Sequence, residues 1–162
     1  MEADGDAHKQ PDDVLKKIVT ELTERNKELN CLYTISRIID RQHHSLEEVL
    51  QQIVNILPLA WQYPEHTCAR IALENQVFTT NLFAETSWRQ ACKLLVNGRP
   101  LGVVEIYCRE NGIEDNAPYF VKEEADLLKA VAERLGKMIE RRRAEEALQK
   151  SEQRFRNLVE NS

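Results

Sequence analysis

No uninterrupted apolar run in this sequence reaches the roughly 18 residues that a helix needs to cross a bilayer. Direct membrane insertion of this piece is therefore not expected. Its cysteines, Cys31, Cys68, Cys92 and Cys108, are scattered, with no Cys-x-x-Cys pair and no signal peptide ahead of them. They read as reduced thiols of a cytoplasmic protein. Positive charge is not in excess: 22 basic against 27 acidic residues give a formal charge of -5, so no overall field draws in a polyanion and nucleic acid is a poor partner. Also missing are a kinase histidine box, a Gly-rich nucleotide loop and a cyclase motif. No catalytic residue and no cofactor are assigned.

What is present fits one domain with helical extensions. The length of 162 residues accommodates a core of roughly 100 to 150 residues, and 42% apolar with 30% charged residues points to long solvated helices around a modest core. Residues 1–11 are polar and without periodicity, and read as disordered. From Asp12, Leu15, Ile18, Leu22, Leu29, Leu32 and Ile39 recur at three- and four-residue steps, with Arg25 and Ser36 interrupting the seam, as in an amphipathic or coiled-coil helix.

Ser45 and Glu48 form a capping box before a second helix with Leu46, Val49, Leu50, Ile53, Val54 and Leu57 on one face, stopped by Pro58. Strands are expected over 67–73 and 76–80, joined at Glu74-Asn75, and over 91–96 and 101–108, joined at Asn97-Gly98-Arg99-Pro100. A loop marked by Gly112, Asp115, Asn116 and Pro118 leads into a helix from Lys122 to at least Leu148. Leu127, Leu128, Val131, Leu135, Met138 and Ile139 face the body, and the end beyond Ile139 protrudes. The fold class is α+β, an antiparallel β-sheet flanked by helices, with long amphipathic helices at both ends.

Three segments carry a family resemblance. Residues 29–40 followed by Ser45-Leu46-Glu47-Glu48-Val49-Leu50 resemble the opening of a GAF domain. Asn97-Gly98-Arg99-Pro100-Leu101-Gly102-Val103-Val104-Glu105-Ile106-Tyr107 resembles its central hairpin, and Phe120-Val121-Lys122-Glu123-Glu124-Ala125-Asp126-Leu127-Leu128 the start of its last helix. The GAF-like domain then spans 29–143, preceded by a signalling helix over 12–28. Residues 144–162, with Ser151-Glu152-Gln153-Arg154-Phe155-Arg156, resemble a helical linker and the first residues of a truncated PAS domain. Two departures stand out. Val121 occupies the place of a Ser or Thr helix cap, and about ten residues, 81–90, replace the strand and helices that fold over a pocket in ligand-binding GAF domains. The Asn-Lys-x-x-Asp-type motif of cyclic-nucleotide-binding members and a bilin attachment site are absent.

Metal-like residues are few. His43-His44 and His66 with Cys68 lack a spacing that brings four ligands together, so no metal site is assigned. Cys92 and Cys108, on neighbouring strands, invite comparison with the GAF-type free-methionine sulfoxide reductases, but small apolar filling is the simpler role. Trp61, Tyr63 and Trp88 could line a pocket with Arg70, Glu105 and Tyr107 for a small ligand, or could patch a sheet edge where the lid is short. Arg141-Arg142-Arg143, flanked by Glu140, Glu145 and Glu146, reads as a solvated helix surface.

The overlong helices imply a homodimer, since each leaves an apolar stripe that one subunit does not cover. Leu15, Ile18, Leu22, Leu29 and Leu32 on the first helix, and Leu135, Met138 and Ile139 on the last, are expected near its interface. The resemblance implies a non-catalytic regulatory module of a signal-transduction protein. It would relay a signal to a covalently linked PAS domain and an output, a histidine kinase first and a diguanylate cyclase next. The alternative is a small-molecule-sensing GAF domain with its pocket on the sheet.

Overall fold

Two tight turns fold the middle of the chain into a sheet. Strand β1 (Thr67–Leu73) returns as β2 (Gln76–Thr79), with Glu74 at φ 54° in the turn. Strand β3 (Trp88–Val96) returns as β4 (Arg99–Cys108) through Asn97 and Gly98 at φ 53° and 77°. That left-handed pair is what Asn-Gly favours in a two-residue hairpin. Both strands of this hairpin extend beyond the expected limits. The structure, a computed structural model, describes residues 3–41, 44–109 and 120–161. His43 and the loop around Gly112, Asp115, Asn116 and Pro118 lie outside the described residues.

The sheet order is β2-β1-β4-β3, antiparallel throughout. Its register contains one irregularity. Pro100 has no N–H for the ladder, and pairing shifts by one residue between Leu94 and Leu95, so that Leu95 faces Pro100 but Leu94 faces Gly102. Gly102 is itself required, because a Cβ there would lie 2.0 Å from the Ala72 carbonyl oxygen.

Helix α2 (Leu46–Ile56) starts where Ser45 Oγ accepts from the Glu48 N–H at 3.2 Å. The other half of the expected capping box is replaced: the Glu48 carboxylate lies 2.8 Å from His44 Nδ1 instead of returning to Ser45. Pro58 ends the helix in a 3-10 turn, Leu57–Ala60. Helix α3 (Lys122–Glu160) has no side-chain cap from Val121. Its first turn is held by Glu124, one oxygen accepting from the Val121 N–H at 2.8 Å and the other from the Gln62 N–H at 2.9 Å. Glu124 is 2% exposed, and burial raises its pKa despite those two bonds. Helix α1 (Ala3–Ile39) begins upstream of the expected Asp12 and contains Pro11, which removes one backbone donor without ending the helix.

All three helices share one side of the sheet. Ala69, Ile71 and Leu73 of β1, Leu94 of β3 and Val104 and Ile106 of β4 meet Val49, Leu50 and Ile53 of α2 and Val131, Leu135 and Ile139 of α3 in one core. Each fully buried aliphatic side chain contributes about 1.5–3 kcal/mol. Cys31, Ile35 and Ile38 fix the C-terminal end of α1 on that core.

Helices α1 and α3 run in the same direction. Burial raises the pKa of Glu28 in α1, and the carboxylates of Glu123, Glu24 and Asp126 add to it, Glu123 and Asp126 belonging to the start of α3. One turn on, Arg134 donates to the Leu32 carbonyl at 2.9 Å and to Ser36 Oγ. The free stretch of α1 therefore leaves one end of the body and that of α3 leaves the other. No helix among the described residues is long and apolar enough to cross a membrane.

Candidate functional site

The sheet face turned away from the helices carries a connected polar cluster. Strand alternation places Arg70 of β1 beside Glu105 of β4, its register partner, and Arg89 of β3 beside Tyr107. Arg70 donates to both Glu105 oxygens, from Nη2 at 3.0 and 2.9 Å and from Nε at 3.2 Å. Arg89 Nε reaches the same carboxylate at 2.9 Å, and the Tyr107 hydroxyl donates to it as well. The short segment after β2 closes over one end: Arg70 Nη1 meets Glu85 at 2.6 Å, and its guanidinium stacks 5.2 Å from the Phe83 ring and 5.7 Å from that of Tyr107. Thr86 Oγ1 anchors this segment to the Cys108 carbonyl at 2.6 Å.

Glu105 is 3% exposed. Burial alone would raise its pKa, but the bonds from Tyr107, Arg89 and Arg70 outweigh that and hold it below the ordinary value. Burial and the adjacent Glu105 charge push the Tyr107 hydroxyl up. A carboxylate so fully engaged has no proton to give and no free lone pair for a base, so the cluster acts as a clamp joining three strands. Two arginines face two carboxylates, leaving no net charge to hold a further ion. Glu85, more than half exposed, is its most replaceable member.

Three of the expected pocket residues, Arg70, Glu105 and Tyr107, are thus brought together. The other three are elsewhere. Trp61 is buried in the core on the helix side, its indole N–H donating to Gln90 Oε1 at 3.1 Å. Trp88 pairs with Cys108 on that same helix-facing side. Tyr63 sits before the 3-10 turn Pro64–His66, where its carbonyl accepts from Thr67 Oγ1 at 2.6 Å. Arg89, Phe83 and Glu85 were not anticipated.

No model of a known protein family matches the chain, and no curated protein matches it. Among the described residues no group of three or more His, Cys, Asp or Glu converges as metal ligands would. Cys92 pairs with Val104, four residues along β4 from Cys108. That is about 13 Å at the strand rise, beyond disulfide reach. Burial raises the Cys92 thiol, and pushes those of Cys108 and Cys31 up to about 11.

The second candidate surface is on the helices. Leu15, Ile18, Leu22 and Leu29 are exposed, Leu29 by 63%, and Leu32 is half-buried. At about 100° per residue these exposed positions fall on the side of α1 opposite Cys31, Ile35 and Ile38. The same inversion occurs on α3. Leu135, Met138 and Ile139, expected near a subunit interface, are buried inside the subunit. Beyond them Leu148, Phe155, Leu158 and Val159 are exposed, Phe155 by 68%, and lie on roughly the opposite side of the helix. Between the helices a groove of about 780 Å³ is lined by Ser36, Ile39, Arg134, Lys137, Met138 and Arg141, among others.

Proposed function

We propose that the chain is a non-catalytic, GAF-like regulatory module of a signal-transduction protein, a dimer whose helices relay a change in the sheet domain to an output such as a histidine kinase. One observation carries this reading: the exposed apolar stripes of both helices lie, by helical rotation, opposite the faces that the same helices bury in the body. A stripe pointing at its own body could be covered by a local adjustment. One on the far side needs another molecule, and a second copy supplies a matching stripe by two-fold symmetry. The parallel course of α1 and α3 supports the relay, because a parallel dimer would enter at one end and leave at the other.

Oxidative cross-linking tests it. Leu22→Cys in two parallel copies brings the thiols together on the axis, so the cross-linked dimer should dominate at micromolar protein. Thr20→Cys, on another side of α1, should stay uncross-linked. Equal behaviour of the two variants would defeat the proposal.

A second reading rests on Glu85. Its exposed carboxylate on Arg70 marks where a small anionic ligand could compete, making the clamp a sensor. Titration with a small dicarboxylate, followed by the amide signals of Arg70 and Glu85, decides it. Unchanged signals at millimolar ligand would remove this reading.

A further inference from the structure

The triple arginine and the glutamate before it occupy the point where α3 leaves the body. Buried positions of α3 end at Ile139, and the next four residues hold three separate segments. Glu140 accepts from the Asn97 N–H at 2.6 Å, a donor that the β3–β4 turn leaves unused. Arg142 Nη1 donates to the His44 carbonyl, just before the cap of α2, at 2.9 Å. Arg143 reaches the carboxylate of Glu74 in the β1–β2 turn. Both hairpin tips and the α1–α2 connection thus end on a single turn of one helix.

We infer that Glu140, Arg142 and Arg143 form the joint that couples the two hairpin tips to the outgoing stretch of α3. This deepens the relay reading and rests on it for its purpose, though the contacts lie within one subunit. The physical case is geometric. Within the body the sheet and α3 meet through apolar side chains and the close approach of Gly136 to the Leu95 backbone, none of it a directed bond at the exit, whereas a bond from each tip fixes both the rotation and the height of the helix there. The bonds to Asn97 and Glu74 grip residues at φ 53° and 54°, where backbone freedom is small. Their neighbours differ: Arg141 pairs with Glu145 one turn along the same helix, so it stiffens the outgoing stretch and grips no tip. A role for the arginines in binding an external anion is the weaker choice, because Arg142 and Arg143 already spend donors on these segments.

The test is transmission of a strain placed at one tip. Gly98 sits at φ 77° with nothing among the described residues within 4 Å of an added Cβ, so Gly98→Val strains the β3–β4 turn without a clash. Hydrogen exchange is read by mass spectrometry in the full chain, over amides 144–158. With the joint intact, Gly98→Val should speed exchange there by about twofold or more, the low end of couplings carried by packed networks. With Glu140→Ala, Arg142→Ala and Arg143→Ala also present, Gly98→Val should add nothing. An equal response with and without the joint, or none in either background, would overturn the inference. Should the triple variant fail to fold, Glu140→Ala alone must still lower the response, and Glu140→Gln, whose amide oxygen can accept from Asn97, must restore it. The subunit count of each variant is measured beside it. A monomer that still transmits the strain would sink the dimeric relay and leave the joint standing.

Discussion

Gly136 of α3 lies against the backbone of Leu95 in β3, so close that a Cβ on Gly136 would stand 2.2 Å from the Leu95 carbonyl oxygen. The helix rests on the edge strand at this point through backbone contact. Gly136→Val forces α3 outward over its buried length and should destabilise the fold by about 1–3 kcal/mol, as overpacking does. Chemical denaturation measures it, and an unchanged midpoint would show that the close approach does not matter.

Removing the Glu105 carboxylate leaves Arg70 and Tyr107 without their central partner. Glu105→Ala should cost about 2–3 kcal/mol at pH 7, below the cost for a fully buried pair because Arg70 and Arg89 are partly exposed. Arg89→Ala should cost less, since Arg70 still saturates the carboxylate.

The two buried glutamates titrate in opposite senses. Glu105 has its pKa lowered from 4.5, so the stability it contributes is present above 4.5 and lost as pH falls through its lower folded value. Glu124 has its pKa raised from 4.5, so its contribution is present below 4.5 and lost as pH rises through its higher folded value. Thermal unfolding against pH should show Glu105→Gln flattening the acid limb, and Glu124→Gln flattening the decline on the alkaline side of 4.5. Parallel curves for both variants and the parent would contradict these assignments.

Alkylation separates the thiols. Cys31, Cys68 and Cys108 are buried and Cys92 is half-buried, so iodoacetamide at pH 8 should modify Cys92 first in the native protein. Its rate should fall below that of free cysteine, because burial raises its pKa too. Rapid modification of Cys108 would contradict the packing of β4.

Much of the fold was legible because local chemistry and periodicity agreed. Asn97-Gly98 set the hairpin, Ser45 started α2, and the spacing from Leu127 to Ile139 gave the buried face of α3. The polar clamp was harder to read. Counting back from Asn97-Gly98 in regular register pairs Arg89 with Ile106, on the helix side. The shift beside Pro100 moves it opposite Tyr107, and a bulge of this kind is not encoded by alternation. Trp61 and Trp88 misled for a related reason: aromatic character says nothing about which side of a sheet a residue takes. Leu135, Met138 and Ile139 have the same spacing whether they cover a core or a partner. Exposure in the folded chain is what separates them from Leu148 and Phe155.

The central claim is that two copies pair through the outward stripes of their helices, and native mass spectrometry of the unmodified chain tests it most directly. The account predicts a species at twice the 18.8 kDa chain mass at low micromolar concentration, converted to the single chain by Leu22→Asp with Leu29→Asp. A bare single chain at every accessible concentration, or a dimer that survives both substitutions, would contradict it.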